Sequence, residues 1–142
     1  PKFYRIQRYD HPLMAINMYF DGWVRQFSEG KYMSMWGSFK MTPTLCEGRQ
    51  TWIISNQWNI VIGVEENEPN TPVKVTDISG TDFKWFIEKA NDYTDNVYYI
   101  RNCKYNTMYL TAPSNVMGQN LNYTLNAEKS FRSMHHLVEI PA

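Results

Sequence analysis

The residues that could carry catalytic or metal chemistry are few, and their spacing favours none of the usual sites. His135 and His136 are adjacent, so in a strand their side chains point to opposite faces and cannot bind one ion together. His11 stands alone before a proline. The sequence contains no catalytic-triad pattern, nucleotide-binding loop or metal-ligand spacing. It therefore predicts a protein that is not an enzyme and that needs no cofactor or metal.

The two cysteines, Cys46 and Cys103, are too few for a disulfide framework. The sequence favours two reduced, buried side chains and leaves a single bridge as the alternative. Four acidic residues lie close together in the sequence: Glu65, Glu66, Glu68 and Asp77. We expect them to form a solvated rim and not an ion site.

Composition favours a function in binding. Aromatic residues make up 15% of the 142 residues, with five Trp and ten Tyr. The charge is balanced at 14 basic and 14 acidic residues, which predicts no nucleic-acid partner. No apolar run is long enough to span a bilayer, so no membrane partner is expected. We expect a monomer, with a dimer left open, that is either cytoplasmic or secreted without a visible signal peptide.

Short strands must position these aromatic and polar residues, because helical periodicity is nearly absent. Ten short segments are rich in aromatic and β-branched residues, and turn-forming stretches separate them. The stretches "SMWGSF" and "SMHHLVEI" supply further strands. The sequence therefore predicts an all-β protein with twelve short strands.

An internal repeat organises the strands into three units of about 47 residues, approximately 1–48, 49–95 and 96–142. Three four-stranded units without helices predict a single β-trefoil domain over residues 1–142. Six strands would close a barrel and three hairpins would cap one end, which removes exposed sheet edges. Four sets of apolar residues recur at equivalent points: Ile6, Ile54 and Ile100; Ile16, Ile62 and Leu110; Val24, Val73 and Leu121; Phe39, Ile87 and Val138.

The connector "EENEPNTPVKV", residues 65–75, carries a family resemblance together with the later segments "WFIEK" and "DNVYYIR". These segments resemble the mushroom β-trefoil protease inhibitors called mycocypins, notably the clitocypin group, and the likeness is firmest over residues 65–101. The resemblance implies inhibition through exposed loops, with no catalytic residue. Its preferred partner is a cysteine protease, a legumain-type protease or a trypsin-like protease.

The resemblance also implies which loops contact the protease. The loops after the first and third strands of unit one would enter the cleft of a papain-like enzyme: Arg8, Tyr9, Asp10, His11 and Pro12, then Ser28, Glu29, Gly30 and Lys31. The loop after the first strand of unit two serves, in some relatives, against legumain-type or trypsin-like proteases: Asn56, Trp58 and Asn59.

The alternative function is carbohydrate binding, since fungal ricin-B-like lectins share the expected fold. Such sites stack a sugar on an aromatic ring and hold its hydroxyls with Asp, Asn or Gln side chains. The usual Gln-x-Trp signature near the end of each unit is absent, because Gln50-Thr51-Trp52 opens unit two. The candidate sugar-binding residues are Asp21, Gly22 and Trp23 in one stretch, and Asn115 and Asn120 in a second stretch that runs from Asn115 to Asn122. The sequence favours a protease over a glycan as partner.

Overall fold

The computed structural model describes residues 1–19, 21–28, 35–65, 69, 73–76, 82–92 and 94–141. Within these ranges the chain forms thirteen strands and two short 3-10 turns, Met35–Gly37 and Phe131–Ser133. The strands in chain order are β1 (Phe3–Arg8), β2 (Met14–Met18), β3 (Val24–Ser28), β4 (Lys40–Cys46), β5 (Arg49–Ser55), β6 (Val61–Gly63), β7 (Lys74–Thr76), β8 (Lys84–Lys89), β9 (Val97–Asn102), β10 (Tyr109–Thr111), β11 (Leu121–Asn122), β12 (Thr124–Asn126) and β13 (Met134–Ile140).

Six of these strands close a barrel. β1 pairs with β13, β13 with β9, β9 with β8, β8 with β5 and β5 with β4, and every pair is antiparallel. A bridge between Tyr4 and Phe39 joins β4 back to β1 through backbone hydrogen bonds of 2.6 and 2.9 Å. The remaining strands form the hairpins β2–β3, β6–β7 and β10–β12. This architecture is the β-trefoil that the sequence predicted.

The thirteen strands correspond to the predicted twelve, because Tyr123 alone divides one predicted strand into β11 and β12. The N–H of Tyr123 donates to the carbonyl of Val24 at 2.9 Å, and its carbonyl accepts the N–H of Val73 at 3.2 Å. Val24 in turn donates to the carbonyl of Val73 at 2.9 Å, which completes a ring across the three hairpins. The residue of the third unit that is equivalent to Val24 and Val73 is therefore Tyr123, which is buried. The sequence predicted Leu121 at this point, and that prediction was wrong because Leu121 is half-buried.

The first two sets of repeated apolar residues meet in one core, as predicted. Every one of their six side chains is fully buried, and all belong to a single hydrophobic cluster: Ile6, Ile54, Ile100, Ile16, Ile62 and Leu110. The inward-facing side chains of the first strand in each unit thus fill the barrel at one level.

The prediction that Phe39, Ile87 and Val138 occupy equivalent buried positions is only partly correct. Phe39 is fully buried, but Ile87 is half-buried and Val138 is 38% exposed. The buried residues at the equivalent positions are Trp85 and His135, both 0% exposed. The sheet register shows the equivalence, since the matching cross-strand pairs are Tyr4 with Phe39, Trp52 with Trp85 and Tyr98 with His135.

Cys46 and Cys103 form a disulfide, which corrects the expectation of two reduced cysteines. Cys46 ends β4 and Cys103 directly follows β9, so the barrel joins two positions that lie 57 residues apart in sequence. Phe86 packs beside the bridge, and the guanidinium groups of Arg49 and Arg101 lie 4.6 and 4.3 Å from its ring centroid. The barrel topology brings the sulfur atoms together, and sequence spacing alone does not reveal it.

The connector that carries the family resemblance is described in part. Pro69 is included, and Val73 is fully buried immediately before β7, as predicted. Residues 66–68, 70–72 and 77–81 lie outside the described ranges, and three of the four predicted acidic rim residues are among them. Within the described part of the chain, no helix is long and apolar enough to cross a membrane.

Candidate functional site

Polar and aromatic side chains cluster where the β2–β3 hairpin meets β11. We define this hairpin patch by Tyr19, Asp21, Arg25, Asn120 and Asn122. Arg25 is its centre: Nη2 lies 3.1 Å from Oδ2 of Asp21, and Nε donates to Oδ1 of Asn122 at 2.9 Å. The guanidinium carbon is 5.0 Å from the ring centroid of Tyr19, whose hydroxyl donates to Oδ1 of Asn120. One cation therefore contacts a carboxylate, an amide and an aromatic ring on one surface, and the hydroxyl of that ring adds a second amide.

The turn between β2 and β3 positions the first half of the patch. The N–H of Tyr19 donates to the carbonyl of Trp23 at 2.9 Å, and Gly22 donates back to Tyr19 at 3.0 Å. Gly22 has a φ of 92°, a conformation that side-chain-bearing residues rarely adopt. Oδ1 of Asp21 accepts the N–H of Trp23 at 3.1 Å. Asp21 therefore caps the turn with one carboxylate oxygen and contacts Arg25 with the other.

A segment about 100 residues later in the chain supplies the other half of the patch. β11 pairs with β3, so Leu121 lies opposite Gln26 and Asn122 lies opposite Arg25. The N–H of Asn120 donates to the carbonyl of Gln26 at 2.9 Å. Asn120 has a φ of 59°, which Asn tolerates better than most residues. The patch therefore lies between the first and third units.

The structure brings two of the predicted sugar-binding residues, Asp21 and Asn120, onto one patch. Gly22 and Trp23 build the turn beneath them. The amide oxygen of Asn115 does not contribute to the patch. It accepts the backbone N–H of Met117 at 3.0 Å. The two candidate segments, which the sequence could only name separately, thus form one surface.

Sequence reasoning missed two members of the patch, Tyr19 and Arg25, and it reached Asn122 only as the end of the candidate stretch 115–122. Their signal was weak, because only the β3–β11 pairing between units brings Asn122 next to Arg25. The pKa of the Tyr19 hydroxyl is raised, because the effect of burial exceeds the opposing effect of nearby Arg25. Tyr19 therefore stays neutral at physiological pH and keeps a proton to donate.

An exposed aromatic ring adjoins the patch. Phe27 lies two residues after Arg25 in β3, so the two side chains share one face of the strand. Phe27 is 37% exposed, and its ring centroid lies 6.5 Å from that of Tyr19 with an interplanar angle of 69°. A ligand held by the polar groups of the patch would therefore find an apolar ring beside them.

A second candidate surface is the loop of residues 56–60 between β5 and β6, which we call the Trp58 loop. Asn56 is 0% exposed, and its Oδ1 accepts the N–H of Trp58 at 2.9 Å and of Ile60 at 3.0 Å. Asn59 has a φ of 62° and is exposed. Asn56 was predicted to contact a protease, but it is buried and instead fixes the loop from within. Trp58 and Asn59 are the predicted residues that reach the surface.

Neighbouring side chains support the exposed part of the Trp58 loop. Trp58 is 46% exposed, and its ring centroid lies 5.0 Å from that of Trp36, which precedes β4. Nζ of Lys40 donates to Oδ1 of Asn59. Nε2 of Gln57 lies 3.1 Å from the sulfur of Met35. The loop is therefore an ordered projection with an aromatic side chain at its surface.

Arg8 differs most from the expectation of an exposed inhibitory loop. Its side chain is 0% exposed, because Arg8 lies two residues after Ile6 and points to the same inward face of β1. Nε and Nη2 donate to the carboxylate of Asp10 at 2.9 and 3.0 Å. Nη1 donates to Oε1 of Gln26 at 2.6 Å and to the carbonyl of Pro113 at 2.7 Å. Arg8 and Asp10 thus form a structural ion pair within the first unit, and the hydrogen bond from Arg8 to Pro113 joins the first and third units.

The next residues of that predicted loop also contact the protein itself. Tyr9 is half-buried, with its ring centroid 6.0 Å from that of Phe131 and 5.5 Å from that of His136. Nε2 of His11 lies 3.0 Å from the sulfur of Met117. Tyr9 and His11 are therefore half-buried and held against the third unit.

The remaining predicted protease contacts fall at Pro12 and at the end of β3. Pro12 is exposed. The backbone N–H of Ser28 donates to Oε1 of Gln119 at 2.8 Å, which ties the end of β3 to the third unit. Glu29, Gly30 and Lys31 lie outside the described residues.

The described residues contain no group of three or more His, Cys, Asp or Glu side chains that could hold a metal ion. His135 and His136 face opposite sides of β13, as predicted: His135 is fully buried and His136 is half-buried against Tyr9.

No family model matches the chain, and no curated protein matches it. Solved structures do resemble it. The designed threefold-symmetric protein ThreeFoil has a TM-score of 0.76 at 14% identity, over 97% of this chain and 99% of that one. The ricin B-like lectin of Macrolepiota procera, in complex with lactose, has a TM-score of 0.75 at 10% identity, over 96% of this chain and 94% of that one.

A lectin of Polyporus squamosus, bound to a human-type influenza-binding sialylated epitope, has a TM-score of 0.73 at 13% identity. The match covers 95% of this chain and 48% of the lectin, so the chain spans about half of that protein's length. Identities this low show the fold alone. The chain is a β-trefoil, a fold that it shares with ricin-B-like fungal lectins.

Proposed function

We propose that this protein is a non-catalytic carbohydrate-binding protein and that the hairpin patch is its sugar site. The observation that carries the proposal is the arrangement of Arg25, which holds Asp21 and Asn122 while it lies over Tyr19. Each sugar hydroxyl can both donate and accept a hydrogen bond. The patch offers both partners: a carboxylate and amide oxygens accept, and guanidinium and amide N–H groups donate.

The neighbouring ring completes the chemistry that a sugar needs. Phe27 presents an exposed apolar face on the same side of β3 as Arg25. The C–H face of a sugar ring packs on such a surface while its hydroxyls reach the polar groups. Because the polar groups already contact one another, little side-chain entropy is lost when a ligand binds.

Two further observations support this function. The solved structures with similar folds include lectins in complex with lactose and with a sialylated glycan, although their low identity carries no residue over to this chain. The disulfide between Cys46 and Cys103 is typical of proteins in oxidising compartments. We therefore propose that the protein acts outside the reducing cytosol, where glycans are displayed.

A glycan array followed by titration with the best-binding glycan tests this proposal. Arg25→Ala removes the central cation, and Asn120→Gly removes an amide while glycine keeps the positive φ. We expect each variant to weaken binding by roughly tenfold to a hundredfold, the effect of losing a hydrogen bond that involves a charged or well-ordered group. Asn106→Ala, in an exposed turn away from the patch, is the matched control and should bind as the parent does.

The Trp58 loop supports a second candidate, inhibition of a protease. Asn56 fixes this loop with two side-chain hydrogen bonds, so Trp58 and Asn59 are presented without a further ordering cost. The segments that resemble the mycocypins begin at residue 65, shortly after this loop. An asparagine at the surface of an ordered loop fits an asparagine-specific, legumain-type protease.

Side-by-side titrations against papain, legumain and trypsin test this second candidate. We expect stoichiometric inhibition of legumain, lost in Asn59→Gly and retained in Asn106→Ala. Glycine keeps the positive φ at position 59, so the loss would report on the side chain. No inhibition of any of the three enzymes at micromolar protein would remove this candidate.

A further inference from the structure

A pocket of about 410 Å³ opens at one end of the barrel. We call it the barrel-mouth pocket, and no functional expectation from the sequence involves it. It is lined by Tyr4, Met41, Trp52, Ile87, Asn96, Tyr98 and Leu137.

Six of its seven lining residues come from equivalent positions in the three units. Tyr4 lies two residues before the buried Ile6, so both side chains point into the barrel. Trp52 and Tyr98 hold the same relation to Ile54 and Ile100. Three further lining residues lie directly opposite these isoleucines on the paired strands: Leu137 opposite Ile6, Ile87 opposite Ile100 and Met41 opposite Ile54.

The buried core forms the floor of the pocket. Met41 and Leu137 pack against the main hydrophobic cluster while remaining half-buried themselves. The next layer inward is the fully buried set of Ile6, Ile54 and Ile100. The pocket therefore lies on the pseudo-threefold axis, with the buried core as its inner end.

The pocket lies away from the hairpin patch. Tyr4 is near the start of β1 at the pocket, whereas Arg8 at the end of the same strand contacts Gln26 in β3. Four residues of extended strand span about 13 Å. A ligand in the pocket and a glycan on the hairpin patch would therefore occupy different ends of the molecule.

The lining selects for an uncharged, mainly apolar ligand. None of the seven lining side chains carries a charge, so an ionised group would enter without a partner. Polar atoms are few: the hydroxyls of Tyr4 and Tyr98, the indole N–H of Trp52 and the amide of Asn96. Among the described residues, none of these four side chains has a hydrogen bond to the protein, so they are free to orient a ligand.

We propose that the barrel-mouth pocket binds a neutral small molecule with a flat apolar body and one or two hydroxyl or carbonyl groups. Its volume lies in the range of about 300–1,000 Å³ that is usual for small-molecule sites. Three aromatic side chains, Tyr4, Trp52 and Tyr98, provide faces on which a flat ligand packs. A free sugar suits the pocket poorly, because most of its hydroxyls would face apolar walls.

Titration with the neutral fluorescent probe N-phenyl-1-naphthylamine tests this proposal. We expect its emission to rise and saturate at one probe per protein chain. Leu137→Glu places a charge in the pocket wall and should weaken probe binding at least tenfold. Val138→Glu is the matched control: the neighbouring side chain on β13 faces outward and is 38% exposed, so binding should be unchanged.

A filling variant keeps the test decisive if Leu137→Glu does not fold. Met41→Trp places a larger apolar side chain in the same pocket and should also abolish probe binding while unfolding remains cooperative. The proposal is overturned if the parent protein shows no saturable binding. It is equally overturned if folded Leu137→Glu or Met41→Trp binds the probe as well as Val138→Glu does.

Discussion

At the scale of single residues, His135 and Tyr123 give the third unit a polar core. Phe39 and Trp85 fill the positions equivalent to His135, and Val24 and Val73 match Tyr123. His135 Nε2 lies 2.9 Å from the Tyr123 hydroxyl, and both side chains are fully buried. Burial raises the pKa of Tyr123 and lowers the pKa of His135 to about 4. A neutral histidine bonded to a neutral tyrosine therefore replaces apolar packing in this unit.

This buried histidine predicts a loss of stability in acid. Its pKa is about 6.5 when unfolded and is lowered to about 4 in the folded protein, so the unfolded chain binds the proton first. The contribution of His135 is complete above about pH 6.5 and is lost as the pH falls toward 4. The total is of the order of 3 kcal/mol in the free energy of unfolding. Urea denaturation at pH 7.0 and pH 5.0 measures the difference.

Two adjacent histidines provide the variant and its control. His135→Phe, combined with Tyr123→Phe so that no hydroxyl is left unpaired, should flatten the dependence of stability on pH between 7 and 5. His136→Phe changes a half-buried ring on the other face of β13 and should leave that dependence in place. An unchanged slope in the double variant would show that His135 is not its source.

Residue types explain why the sequence revealed only part of this core. Ile6, Ile54 and Ile100 were predictable, because apolar residues recur at equivalent points in a repeat. His135 and Tyr123 were not, since a search for apolar residues passes over polar side chains whose partners lie in other strands. Arg8 was read as a loop residue for the same reason: only its contacts with Asp10, Gln26 and Pro113 account for a buried charge.

At the scale of elements, the hairpins and the pairing between units decide where sites form. The β2–β3 hairpin and β11 were each predictable as local strands with turn residues. Their pairing, which brings Asn122 opposite Arg25, depends on how the first and third units pack together. The sequence therefore suggested Asp21 and Asn120 as separate candidates but could not join them into the hairpin patch.

The disulfide between the end of β4 and the residue after β9 predicts a second stability effect. Closing a loop across a separation of 57 residues removes freedom from the unfolded chain and contributes about 4 kcal/mol in the loop-entropy model. We expect Cys46→Ser with Cys103→Ser to lower the free energy of unfolding by about 2–5 kcal/mol. Guanidinium denaturation of the parent and the double variant tests this, and coincident midpoints would contradict it.

At the scale of the whole molecule, pseudo-threefold symmetry provides a common frame and its exceptions provide the candidate sites. The barrel mouth keeps the symmetry, with Tyr4, Trp52 and Tyr98 at matching positions. The hairpin patch breaks it, because Arg25, Asp21 and Asn122 meet only between the first and third units. We propose that residues 1–142 act as one domain, in which the barrel holds both surfaces at fixed positions.

The most direct test of the central claim is a glycan array probed with the parent protein, Arg25→Ala and Asn106→Ala at equal concentration. We predict saturable binding of at least one glycan by the parent and by Asn106→Ala, and loss of that signal in folded Arg25→Ala. Glycan binding that survives in Arg25→Ala would contradict the hairpin patch as the site. No glycan binding by the parent at micromolar protein would contradict carbohydrate binding itself.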